Sequence, residues 1–132
     1  MSRASLVKAF AVLASFAASY HSAAAFEKHP YSDAAFKAAQ ATGGPVVVHI
    51  TAPWCPTCKA QHQALDQLDK NPAYAKVALL DVDFDSQKDV LKAFNATTQS
   101  TLIAFKGTAE TGRSVGATQA AAIEELVKSA TK

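Results

Sequence analysis

Residues 45–52 read PVVVHITA, an apolar, largely β-branched run interrupted only by His49 and Thr51 near its end. A strand with one wet face alternates polar and apolar side chains. A run without that alternation belongs to a strand covered on both faces, as in parallel or mixed sheets sandwiched between helices. The rest of the chain must therefore supply helices for two sides of a sheet.

The flanking segments do so. Tyr31-Ser32-Asp33 starts a helix with Ser32 as N-cap and Phe36 and several alanines as its apolar face, and Gly43-Gly44 stops it. Residues 54–70 read as a helix with Leu65 and Leu68 on one face, closed by Asn71-Pro72. Residues 76–84 (KVALLDVDF) form a second strand, and Asp85 or Ser86 caps a helix carrying Val90, Leu91 and Phe94. Residues 101–106 and 113–115 are short strands joined by a turn over 107–112. Thr118 caps a last helix with Ile123, Leu126 and Val127. After the first helix the order is β-α-β-α-β-β-α, which implies a parallel or mixed sheet with helices on both faces.

The N-terminus has a different character. Arg3 and Lys8 precede an uncharged apolar stretch over 9–19, and Ala23 and Ala25 fit a small-residue cleavage site before Phe26. This is the three-part pattern of a secretory signal peptide, and the stretch falls well short of the ~20 residues needed to span a bilayer. The expected division is a signal peptide at 1–25 and one domain at 26–132, placed in a periplasm or outside the cell. The formal net charge of +2 comes entirely from Arg3 and Lys8. The domain itself is then neutral, without the basic footprint of a nucleic-acid binder.

The chemistry concentrates where the buried strand runs into Trp54-Cys55-Pro56-Thr57-Cys58, because both cysteines of the chain lie there, three apart. A cysteine at a helix N-terminus meets free amide N–H groups and the positive end of the helix dipole, which stabilise a thiolate. Cys55 occupies that position, and Cys58 is one turn further in, within reach of its sulfur. Pro56 suits the first helical position. A purely structural disulfide would close so small a loop that it would stabilise little, so redox chemistry is the favoured reading.

The segment Trp54-Cys55-Pro56-Thr57-Cys58 after a hydrophobic strand resembles the active site of the thioredoxin superfamily, and the likeness extends over 26–132 in length and element order. It implies a three-layer α/β sandwich, a mixed sheet flanked by helices, acting as a thiol–disulfide oxidoreductase without a cofactor. By the same resemblance Cys55 attacks, Cys58 resolves and Trp54 covers the pair. The Pro56-Thr57 dipeptide is similar to that of periplasmic thiol reductases of cytochrome c maturation, but the interval from Cys58 to Ser100 leaves no room for the insertion of that subgroup. Implied partners are disulfide-bearing proteins and a membrane or periplasmic thiol donor, with the protein itself a monomer.

Two positions depart from the family pattern. Ser100, followed by Thr101, stands where the family places a cis-proline that positions substrate backbone. A cis bond before a non-proline residue costs roughly 3 kcal/mol, so the Gln99–Ser100 bond is open to a trans form. His49 stands where thioredoxins commonly bury an acid. It either exchanges a proton with Cys58 or is a core histidine satisfied by a backbone carbonyl. His62 shares a helix face with Cys58 and reads as a packing or surface residue. Asp81, Asp83 and Asp85 read as a solvated strand end. No metal belongs to this reading. A rival reading is a Cu(I) or Zn(II) module using Cys55, Cys58 and His49 or His62, and a third is a scaffold for protein contacts alone.

Overall fold

The computed structural model describes residues 25–132, so the expected signal peptide lies, Ala25 apart, outside the described residues. The elements run β1 (Glu27–Pro30), α1 (Asp33–Ala41), β2 (Pro45–Thr51), α2 (Pro56–Leu68), a short 3-10 turn (Pro72–Tyr74), β3 (Ala78–Asp83), α3 (Lys88–Ala93), β4 (Thr101–Lys106), β5 (Ala109–Val115) and α4 (Ala120–Thr131). The five strands form one mixed sheet in the order β1-β3-β2-β4-β5. β1 and β2 run parallel to β3, while β4 is antiparallel to both β2 and β5.

β2 is central, as its composition requires, and its side chains divide between two cores. Val46, Val48 and Ile50 join Leu80, Val82, Ile103 and Phe105 under α1 and α3. Tyr31, Phe36, Phe94 and Phe105 meet there as an aromatic cluster with edge-to-face contacts. Val47 joins Leu65, Leu68, Leu79, Leu102, Ile123 and Val127 beneath α2 and α4. By the strand's two-residue period His49 falls on this second face, toward α2.

Several boundaries differ from the sequence expectation. β1 is an additional edge strand whose four residues are all exposed, so it carries no alternation to read. Its flanks hold it instead. Phe26 is buried in the α2–α4 core, Tyr31 in the other, and the Phe26 amide donates to the Asp69 carboxylate. Lys28 pairs with Asp66 at 2.9 Å and Asp69 at 2.8 Å, tying the edge to α2. Burial opposes charge on Asp69, yet Lys28 and the Phe26 amide outweigh it and hold the carboxyl below its usual range.

Ser32 caps α1 as expected, accepting from the Ala35 amide at 3.1 Å. Neither Asp85 nor Ser86 caps α3, because the Ser86 hydroxyl donates to Asp83 at 2.8 Å; Gln87 occupies the cap. Gln119, not Thr118, precedes α4. The β4–β5 connection is only Gly107-Thr108, tighter than the expected turn, and Gly107 makes it possible with φ +56°. No helix among the described residues is long and apolar enough to cross a membrane.

Phe26 anchors an edge strand that has no apolar residue of its own. Phe26→Ala is expected to destabilise the domain by about 3–5 kcal/mol, read as a lower denaturant midpoint in equilibrium unfolding.

Candidate active site

β2 delivers the chain through Thr51-Ala52-Pro53-Trp54 to Cys55, which is the N-cap of α2, with Pro56 at the first helical position. Cys55 and Cys58 are joined as a disulfide, their Cα atoms 5.3 Å apart. The Cys58 amide donates to Cys55 Sγ at 3.1 Å, the unpaired N–H of a helix start used on sulfur. Cys58 is 1% exposed and Cys55 4%, and only Cys55 lines the adjoining cleft of about 670 Å³. Both sulfurs are thus buried, and Cys55 is the one that borders the cleft.

Ser100 faces this pair from the loop before β4. Its Oγ lies 3.1 Å from Cys55 Sγ and 3.2 Å from Cys58 Sγ. Every peptide bond among the described residues is trans, so the bond before Ser100 is trans too. Ser100 instead adopts φ +61°, a left-handed conformation uncommon outside glycine. Its backbone is pinned on both sides: its N–H donates to Ile50 O at 2.8 Å, and its carbonyl accepts from the Gly116 amide at 2.9 Å and Gln61 Nε2 at 3.0 Å. Proline fits neither requirement, having no N–H and a fixed negative φ. Thr101 steadies the loop by donating its hydroxyl to Thr98 O at 2.8 Å.

Gln61, not among the residues expected at the site, is fully buried three residues after Cys58. Its Nε2 donates to Ser100 O and, at 2.9 Å, to Ala117 O. Carbonyl oxygens only accept, so these two bonds orient the amide and turn Oε1 toward His49 Nε2, 2.9 Å away. His49 Nε2 must then carry a proton, which sets the tautomer. His49 is 0% exposed, and its partner is this side-chain amide where a backbone carbonyl or the Cys58 thiol had been expected. Its other nitrogen, Nδ1, faces Asp81 Oδ1 at 3.4 Å across the β2–β3 register.

His62 packs edge-to-face on His49 at 4.5 Å and meets the Thr51 hydroxyl at 3.3 Å. Burial, and then the neighbouring His49, hold the His62 imidazole below its ordinary pKa. The three aspartates expected to share a solvated strand end have separate uses. Asp81 faces His49, Asp83 binds the Ser86 hydroxyl and the Asp85 amide, and Asp85 accepts from Trp54 Nε1 at 2.7 Å. Trp54 is 56% exposed and lies edge-on to Phe84. Phe84 is the aromatic that packs against the buried Ala52–Cys55–Cys58 cluster. Thr57 is partly buried beside the cysteines and Pro56 is exposed.

Comparison with known proteins agrees with this geometry. Residues 27–129 match the Thioredoxin family. The chain belongs to the thioredoxin family. It is similar to thioredoxin of Echinococcus granulosus, 36% identical over 83 residues that cover 63% of this chain and 75% of that protein. A shorter likeness, 42% identical over 45 residues, covers 34% of this chain and 23% of the thiol:disulfide interchange protein DsbE of Haemophilus influenzae. Among solved structures, Trxlp from Edwardsiella tarda superposes with a TM-score of 0.75 at 42% identity, covering 80% of this chain and all of that one. A thioredoxin from Halobacterium salinarum shares the fold at 18% identity and a TM-score of 0.69. With its cysteine pair at disulfide distance, this thioredoxin-family chain is a thiol–disulfide oxidoreductase.

Two outcomes follow for the site. In the reduced protein the Ser100 hydroxyl is placed to donate to a Cys55 thiolate, a charge-assisted bond of about 1.5 kcal/mol. Ser100→Ala should slow alkylation of Cys55 at neutral pH about tenfold, with Ser100→Gly giving the same loss of reactivity despite relieving the positive φ. Gln61→Leu leaves the His49 N–H and the Ser100 and Ala117 carbonyls each short of a partner. It should cost at least about 2 kcal/mol in equilibrium unfolding.

Proposed function

We propose that the protein is an exported disulfide reductase, acting on protein disulfides outside the cytosol. The carrying observation is the asymmetry of the pair: Cys55 borders the open cleft at the head of α2, while Cys58 is closed off behind it. The Cys55 thiolate attacks one sulfur of a substrate disulfide, forming a mixed disulfide and releasing the other substrate sulfur as a thiolate that takes up a proton. Cys58 loses its proton and attacks Cys55 Sγ, expelling the second substrate thiol and leaving the 55–58 disulfide. Two electrons pass to the substrate, and a thiol donor restores the dithiol.

Export is supported by the charged, apolar and small-residue order of residues 1–25. It is supported too by the position of Phe26, a buried anchor of the fold one residue beyond the expected cleavage point. There the new ammonium would face Asp69, which the Phe26 amide already contacts. The reductive direction rests on the likeness of Trp54-Cys55-Pro56-Thr57-Cys58 to reducing periplasmic relatives. A second reading, a disulfide donor, is favoured by the Cys58 amide and Ser100 hydroxyl around Cys55. Donors that stabilise the dithiolate make a disulfide more oxidising.

Cys55→Ser should abolish reduction of a protein disulfide such as that of insulin, whereas Cys58→Ser should accumulate a mixed disulfide visible by non-reducing electrophoresis. The midpoint potential decides direction. A value near −270 mV supports the reductase, and one near −120 mV makes the protein a donor. A reporter active only after export, fused behind residues 1–25, tests the address, and an inactive fusion removes it from the proposal.

A further inference from the structure

The cleft beside Cys55 continues along the first two turns of α2, between that helix and the strand ends of β1 and β3. Thr51, His62, Asp81, Asp83 and Lys59 line it, and His49 is buried behind Asp81 and His62. One contact there stands apart from the cysteine pair. His49 Nδ1 and Asp81 Oδ1 are both buried atoms, 3.4 Å apart, and neither has a hydrogen-bond partner.

Gln61 makes this juxtaposition chemically specific. Because Gln61 Oε1 accepts the His49 Nε2 proton, Nδ1 of the neutral ring directs a lone pair at a carboxylate oxygen that is itself an acceptor. Two acceptors facing one another in a buried space require something positive between them. The spacing suits a metal ion. With ligand distances of about 2.0–2.2 Å, two ligands on a tetrahedral ion lie roughly 3.3–3.5 Å apart.

The surroundings supply the remaining parts of a site. Donor atoms of His49, His62 and Asp81 all lie within 4.8 Å of one another, so a small rotation of the partly exposed His62 ring completes a three-ligand set. Burial, and then the neighbouring His49, disfavour the charged form of the His62 imidazole. Gln61 acts on His49 as outer-shell carboxylates and carbonyls act on metal-bound histidines, fixing the tautomer and the ring. The fourth position opens on the cleft, where Asp83 adds negative charge and Lys59 opposes it. The cysteine sulfurs, joined to each other, are outside this set.

We propose that His49, His62 and Asp81 form a binding site for one borderline divalent transition ion, Zn(II) foremost, on the floor of the cleft that Cys55 borders. Two imidazoles and one carboxylate with an open position suit Zn(II) or Co(II) and suit neither Ca(II) nor Mg(II). This site differs from a thiolate centre because it exists while the cysteines are oxidised.

The test titrates the disulfide form with Co(II) as a visible probe and then displaces it with Zn(II). One equivalent should bind with the intense absorption of four-coordinate Co(II), and Zn(II) should bleach it. Asp81→Asn and His62→Gln, at positions partly open to solvent, should each weaken binding at least tenfold with circular dichroism unchanged. The Cys55→Ser/Cys58→Ser double variant should bind as the parent does. No uptake by the oxidised protein would leave a proton as the bridge between His49 and Asp81 and overturn the proposal. Uptake that survives both ligand substitutions, or that vanishes with the cysteines, would overturn it equally.

Discussion

One buried amide holds the catalytic end of this molecule together. Gln61 has three hydrogen bonds, and each goes to a different part of the chain: His49 on β2, Ser100 before β4 and Ala117 before α4. An amide is suited to the task because it offers donors and an acceptor at fixed angles from one side chain. A carboxylate in its place would meet two carbonyls with no proton to give, and an apolar residue would leave the His49 N–H and the Ala117 carbonyl without this partner and the Ser100 carbonyl with the Gly116 amide alone. The loop that faces the disulfide is therefore positioned by a residue of the same helix that carries the disulfide. Loop and sulfurs are referenced to one rigid body.

That arrangement explains how the protein departs from its family without losing the geometry of the pair. Ser100 uses its N–H, its carbonyl and its hydroxyl, respectively on β2, on Gly116 and Gln61, and on the two sulfurs. The positive φ costs of order 1–3 kcal/mol and persists because the surrounding bonds over-determine it. His49 is accommodated similarly. A polar ring on the apolar face of a central strand would be costly, but Gln61 satisfies one nitrogen and Asp81 and His62 surround the other.

The sequence made the layers legible because β2 has no polar alternation and because Ser32, Gly43 and Asn71 punctuate the helices where their chemistry requires. It made the reactive pair legible because only one short segment holds cysteine. β1 escaped notice because an exposed edge strand of Glu, Lys, His and Pro carries no periodic signal; its anchors, Phe26 and Tyr31, stand outside it. The roles of Gln61 and Phe84, and the His49 contact of Asp81, escaped because they arise from tertiary register. Asp81 reaches His49 only through the pairing of β2 with β3, and Phe84 reaches the cysteines only because β3 ends beside them. His49 was visible as an anomaly, yet its partner lies twelve residues on, in a helix whose rotation about its axis no local pattern specifies. Gln61 could have been suspected, since at three residues past Cys58 it occupies the inward face of an amphipathic helix.

The backbone at Ser100 bears on the substitutions open to this chain. A serine-to-proline change at this position is not a conservative exchange within the loop as it stands. The new ring would forfeit the bond to Ile50 and could not take up the φ that the Gly116 and Gln61 contacts enforce. Accommodating a proline here would require the loop and its supports to be rebuilt together. The serine and its supports, Gln61 and Gly116, are therefore exchangeable only as a set.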